Sequence, residues 1–224
     1  FARAVHPSHR RDGEVRALET VRFSIATHRG CYGGCHFCAI AVHEGRQVSS
    51  RSLTSILREA ELLASLPGFH GRILDVGGPT ANMYGFECRK KLLLGACSDR
   101  NCLYPDVCEN LRPDHRRQIA LLRKLREIPG VKQAIVASGI RYDLLLADRK
   151  HGVPYLREVV RHHVSGQMKV APEHSEEKVL RCMGKPGIAS LLAFRDLFFK
   201  LTAEAGKEQF LTYYLIAAHP GCTQ

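Results

Sequence analysis

The chain has 224 residues, with 33 Lys and Arg against 22 Asp and Glu, a formal charge of +11. Hydrophobic residues at 45% and charged residues at 25% describe a globular chain able to bury a core, which excludes a mainly disordered one. No apolar run approaches the ~18 residues that a membrane span requires, so the expectation is a cytoplasmic protein with no membrane partner.

The chain opens with Phe1 rather than Met and is expected to be an excerpt of a longer protein with further domains. Residues 1–20 carry no clear period and read as a lead-in from a preceding domain, and 21–224 read as the core domain. Val21 to Thr27 is a first strand, leading through Arg29-Gly30 into a cysteine-rich loop. Ser52 is placed to cap a helix whose apolar positions Leu53, Ile56, Leu57, Ala60, Leu63 and Ala64 share one face, ended by Pro67-Gly68. Arg72 to Val76 is a second strand running into Gly77-Gly78. From about 79 to 112 no period appears, and this reads as an insertion tied by metal.

Asp114 is expected to cap a helix with Ile119, Leu122, Leu125 and Ile128 inward, closed by Pro129-Gly130. Val131 to Ala137 is a third strand. A helix over Tyr155 to His163, a strand over Gln167 to Ala171, and helices over Ser175 to Met183 and Ala189 to Ala205 follow. Phe210 to Ala218 is a fifth strand, stopped by His219-Pro220-Gly221. Strands alternating with helices predict an α/β fold with a parallel sheet, here a partial (β/α) TIM-like barrel with a cysteine-rich insertion.

Nine cysteines cannot all pair, and seven of them fall in two groups, which points to metal. Gly30-Cys31-Tyr32-Gly33-Gly34-Cys35-His36-Phe37-Cys38 places three thiols in one loop. Three thiolates hold three irons of a [4Fe–4S] cube and leave the fourth without a protein ligand, as a reaction requires. Gly33 and Gly34 are expected to fold the loop at positive φ and to aim backbone N–H groups at sulfur. Zinc is the weaker reading, since a closed tetrahedron needs a fourth ligand and His36, between Cys35 and Phe37, is expected to point away. Cys88, Cys97, Cys102 and Cys108 form the second group and suit a second [4Fe–4S] cluster or zinc. Cys182 and Cys222 are not expected to be ligands.

With Phe37 as the aromatic, Cys-x3-Cys-x-aromatic-Cys resembles the fingerprint of radical S-adenosylmethionine (SAM) enzymes. More narrowly, the chain resembles the YgiQ-type branch through the run from Arg22 to Cys38 and six further segments. These are Met83 to Cys88, Ser138 to Asp143, His162 to Gly166, Lys169 to His174, Met183 to Pro186 and His219 to Thr223. The resemblance implies a cube on Cys31, Cys35 and Cys38 whose open iron chelates SAM. Reductive cleavage of SAM then yields a 5′-deoxyadenosyl radical that abstracts hydrogen from an unknown substrate. It also implies an electron donor such as flavodoxin or ferredoxin.

By the same resemblance, Gly77 and Gly78 are SAM-binding candidates, with Pro79-Thr80 in place of the family's usual acidic residue; a plain strand-end turn is the other reading. Ser138 is a ribose or carboxylate contact. Arg141 is either a bidentate partner of the SAM carboxylate or the partner of Asp143 in a surface ion pair. Glu173 and His174 serve ribose or substrate, or Glu173 caps the helix at 175.

From Arg112 to Lys132 there are seven Lys and Arg against two acids, mostly on the outward face of a helix. A solvated face is the default reading of that stretch, and RNA is a candidate substrate because the radical SAM enzymes that the chain resembles include RNA-modifying members. The alternative reading is a non-enzymatic iron–sulfur or zinc protein that binds nucleic acid through its basic face.

Overall fold

The computed structural model describes residues 7–9 and 15–223. The lead-in expected over 1–20 falls in part outside the described residues; within it Pro7–His9 is a 3-10 turn and α1 spans Arg16–Glu19. There follow β1 (Ser24–Ala26), β2 (His28–Arg29), α2 (Ile40–His43), β3 (Ser49–Ser50), α3 (Leu53–Ala64), β4 (Arg72–Ile73), β5 (Asp75–Gly77) and α4 (Arg89–Leu94). The second half holds α5 (Arg116–Arg126), β6 (Gln133–Ala134), α6 (Tyr142–Ala147), α7 (Gly152–His162), β7 (Gln167–Glu173), α8 (Glu177–Met183), α9 (Ile188–Glu204) and β8 (Phe210–Leu215).

Three of the strand pairings are parallel, each between strands separated in sequence by helices. β1 pairs with β5 in the register Ile25↔Val76, β4 with β6 as Ile73↔Ala134, and β7 with β8 as Met168↔Leu211. Further bonds join these pairs: Val76 N–H donates to the Ile135 carbonyl at 2.8 Å, and Ile140 bridges Val170 in parallel. Followed along these bonds, the strand segments succeed one another in chain order. β2 and β3 form a separate antiparallel pair.

One apolar core lies between the strands and the helices that cross them. Ile25, Ile73, Val76 and Val170 meet Ile56 of α3, Leu122 of α5, Val159 of α7 and Phe194 of α9. Each such side chain contributes about 1.5–3 kcal/mol by leaving water. Among the described residues, no helix is long and apolar enough to cross a membrane.

The helix starts show how local chemistry sets boundaries. Ser52 caps α3 as expected, its hydroxyl accepting the Ser55 N–H at 3.2 Å. Asp114 is not the N-cap of α5. His115 occupies that position, its N–H held by the Asp148 carboxylate at 2.9 Å, while Asp114 accepts from Arg116 one residue further on. The third strand is shorter than expected, Gln133–Ala134, although Ile135 N–H still donates to the Ile73 carbonyl of β4 at 2.9 Å and Val136 N–H to the His163 carbonyl at 2.9 Å. The first is shorter because Val21 to Phe23 form a turn.

The expected loop over 79–112 contains α4. Its buried residue is Lys91, and Leu92, Leu93 and Leu94 are 61%, 83% and 76% exposed, so its apolar pattern is reversed.

Candidate metal and cofactor site

The cysteine loop begins at Gly30, just after β2, at φ +87°. A Cβ there would lie 2.2 Å from the Gln47 carbonyl oxygen, so only glycine fits. Gly30 N–H donates to Glu44 Oε2 at 3.1 Å and Cys31 N–H to the Gly45 carbonyl at 3.1 Å, which closes the loop.

Within it, Gly33 N–H donates to Cys31 Sγ at 3.3 Å, as expected. The positive φ expected at Gly33 and Gly34 is absent; Gly30 carries the turn instead. The two glycines make room. A Cβ on Gly33 would lie 3.3 Å from Cys31 Sγ and 3.5 Å from Cys35 Sγ, and one on Gly34 would lie 2.5 Å from Asn101 Oδ1. The space between the first two sulfurs is thus a cradle that a side chain would fill.

Among the described residues, the ligand atoms gathered three together within 4.8 Å belong to Asp114, Asp148 and His151, not to any cysteine trio. A single zinc with Zn–S near 2.3 Å draws sulfurs to about 3.8 Å of one another. The first group is spread more widely, which suits a polynuclear cluster better than one ion. His36 is turned away, donating through Nδ1 to the Cys182 carbonyl at 2.8 Å while its N–H bonds the Met183 carbonyl. Phe37 is partly exposed and meets the His219 ring edge-on at 6.3 Å. Burial pushes the Cys31 thiol up, with the Gly33 N–H and the Arg141 charge opposing.

Arg141 reaches this loop from beyond β6. Its Nη1 donates to Cys35 Sγ at 3.4 Å, while Nε donates to Asp143 at 2.8 Å and Nη2 bonds the second Asp143 oxygen. The ion pair with Asp143 is therefore real, and buried rather than on the surface. Burial opposes the guanidinium charge, and Asp143 restores it so that the pKa lies above its ordinary value. Asn82 holds the Arg141 backbone from both sides, at 2.8 and 3.0 Å.

Lys185 lies beside this pair, with Nζ 2.6 Å from the Ala171 carbonyl oxygen and 4.0 Å from Glu173. Burial pushes the lysine pKa down and the Glu173 pKa up. Glu173 adopts φ +72° at a register shift between β7 and β8, a strained position for a residue with a side chain. It does not cap the next helix, whose N-cap is Glu176; His174 Nδ1 accepts the Glu176 N–H.

Gly77 and Gly78 accommodate protein neighbours. A Cβ on Gly77 would lie 2.9 Å from Ser138 Oγ, and one on Gly78 2.7 Å from His28 Nε2. Ser138 donates its hydroxyl to Asp75, which also accepts the Ala137 and Ser138 amides at 2.8 and 3.0 Å. Burial lowers the His28 pKa to about 4, so the ring is neutral at pH 7.

The structure thus brings Cys31, Cys35, Arg141 and, through Lys185, Glu173 into one cluster, with Ser138 tied to the Asp75 side. Cys88, Cys97, Cys102 and Cys108 all line one cavity of about 30 Å³. Asp75, Asn82 and Lys185 were not expected as site residues. The signal for Asp75 was a carboxylate inside the otherwise apolar run Ile73 to Val76.

No family model matches the chain. A UPF0313 protein of Fusobacterium nucleatum is 59% identical over 222 residues, which cover 99% of this chain and 39% of that protein. One from Methanocella arvoryzae is 50% identical over 223 residues, covering 100% and 36%, and one from Pseudomonas syringae pv. tomato is 48% identical over 224 residues, covering 100% and 28%. The chain spans about a third of the length of these relatives. At such identity across its length, the chain is homologous to one segment of the UPF0313 proteins.

Proposed function

We propose that this chain is the core of a radical SAM enzyme, folded as a partial (β/α) barrel. The observation that carries the reading is the loop of Cys31, Cys35 and Cys38. Two of its sulfurs flank an empty cradle at Gly33, and its histidine is turned away. Those three thiolates would hold a [4Fe–4S] cube with one open iron, which with SAM and one electron supplies a 5′-deoxyadenosyl radical for hydrogen abstraction.

The chain's own groups suit that task. Gly33 N–H and Arg141 Nη1 donate to Cys31 and Cys35, which favours thiolates over thiols. Asp143 and Asn82 fix Arg141 in place. Barrel enzymes carry their chemistry at the C-terminal ends of strands. Here Cys31 follows β2 next to β1, Gly77 ends β5, Ser138 and Arg141 follow β6, Glu173 ends β7 and His219 follows β8. All three Arg141 nitrogens are already engaged, Nε and Nη2 by Asp143 and Nη1 by Cys35 Sγ, so Arg141 has no open fork for SAM, and the Ser138 hydroxyl is engaged as well. Glu173 is the carboxylate we assign to ribose or substrate.

The nucleic-acid alternative has one observation in its favour, a cleft of about 650 Å³ lined by Arg89, Lys90, Arg112, Arg116 and Arg117. Its helical face is partly neutralised, since Arg116 pairs with Asp114 and both Arg123 and Arg126 pair with Glu158.

Electron paramagnetic resonance of the reduced, reconstituted protein with and without SAM tests the proposal. The signal should shift on adding SAM, and the shifting component should vanish in a Cys31→Ala, Cys35→Ala, Cys38→Ala variant. A fully loaded cluster indifferent to SAM would sink the enzyme reading.

A further inference from the structure

The second cysteine group is spread over twenty-one residues without a metal-knuckle spacing, yet its four thiols converge. Cys88 sits at the start of α4, and Cys97, Cys102 and Cys108 come from the loop after it; all four line the same cavity. The loop is braced from outside. Arg46 donates to the Cys97 carbonyl at 3.0 Å and to the Arg100 carbonyl at 2.6 Å, and Cys108 N–H bonds the Cys102 carbonyl at 2.9 Å. Four free thiols around a void is an arrangement that apolar packing alone does not call for.

We propose that Cys88, Cys97, Cys102 and Cys108 hold a second iron–sulfur cluster, closed by four thiolates and distinct from the open one on the first loop. One observation favours a cluster over a single zinc: no three of these sulfurs lie within 4.8 Å of one another, whereas zinc would draw them to about 3.8 Å. Either four-thiolate centre carries net negative charge, and Lys91 supplies a cation at the cavity wall while only 1% exposed.

The two centres share a wall. Asn101 lines the second cavity, and its Oδ1 closes against Gly34 of the first loop. Tyr32, next to Cys31, lays its ring 4.7 Å from the Lys91 ammonium. A closed cluster here has no open iron, so it is a structural or electron-holding centre rather than a second SAM site. This inference does not rest on the radical SAM reading.

The test is metal and sulfide analysis of the intact protein, reconstituted without oxygen. It compares the wild type, the Cys31→Ala, Cys35→Ala, Cys38→Ala variant, and a Cys88→Ser, Cys102→Ser variant. The triple variant should keep half the iron and half the acid-labile sulfide of the wild type, with a resonance signal that SAM leaves unchanged. The double variant should lose the other half and keep any SAM-sensitive component. A triple variant with no iron, or with one zinc in its place, overturns the proposal. So does a double variant that binds as much iron as the wild type. Because the triple variant leaves the second group untouched, misfolding of the double variant does not rescue the idea. If the SAM response is missing while the triple variant still holds iron and sulfide, the proposed function falls and the second cluster stands.

Discussion

The core under the long helices and the small core of the cysteine-rich insertion are built from different materials. The first joins some thirty buried residues, mostly Leu, Val, Ile and Phe, from the parallel strands other than β8 and from α3, α5, α7 and α9. The second gathers Tyr32, Val48, Met83, Leu103, Leu111 and Leu144 around Cys88 and Cys102. What it lacks in aliphatic bulk it replaces with side chains that hold backbone. Glu87 accepts the Val48 and Cys88 amides at 2.7 Å each, and Lys91 donates to the Arg46 carbonyl at 2.5 Å. Such bonds contribute about 1 kcal/mol each. One region is held by periodic packing, the other by a few specific polar contacts.

The largest expected effect tests the first region. Phe194→Ala removes a fully buried ring between Tyr142 and Phe198, and chemical denaturation should report a loss of about 3–5 kcal/mol. Lys91→Met leaves the Arg46 carbonyl without its donor and should cost about 1–3 kcal/mol. Hydrogen exchange should show that loss in residues 88–111 while the amides of α7 stay protected. A rise in exchange throughout the chain would mean that the two regions unfold as one, and the contrast between them would collapse.

The third effect is pH dependence. Burial lowers the His163 pKa to about 4, its Nδ1–H donating to the Ala134 carbonyl at 2.6 Å. The unfolded chain takes up this proton near pH 6.5 and the folded one near 4, so stability is complete above pH 6.5 and falls between those values. His163→Gln should flatten the slope there by up to about 1.4 kcal/mol per pH unit. An unchanged slope in urea melts at pH 5 and pH 7 would show that the ring is already protonated in the native state.

The same contrast explains what could be read from the chain. α3, α5 and α9 announce themselves because their apolar residues recur at helical spacing and face one core. α4 does not, because a lysine is its buried residue and three leucines face outward. The first cysteine loop is legible because its three thiols lie within eight residues, a local pattern. Asn82 and Asp75 act on residues 59 and 63 positions away, and no local window contains both partners. The second cysteine group, like the first, is legible as a group from its local pattern, while the cavity that its four members line is a property of the folded loop.

Glu173 gives the fold an asymmetry that packing does not require. At φ +72° glycine would sit freely, whereas a residue with a Cβ costs about 1 kcal/mol or more. Glu173→Gly would therefore relax the backbone while deleting the carboxylate beside Lys185. The chain keeps the acid and tolerates the tension, so at this strand end it trades stability for a charge. Stabilising this protein by smoothing its backbone would begin by erasing that group.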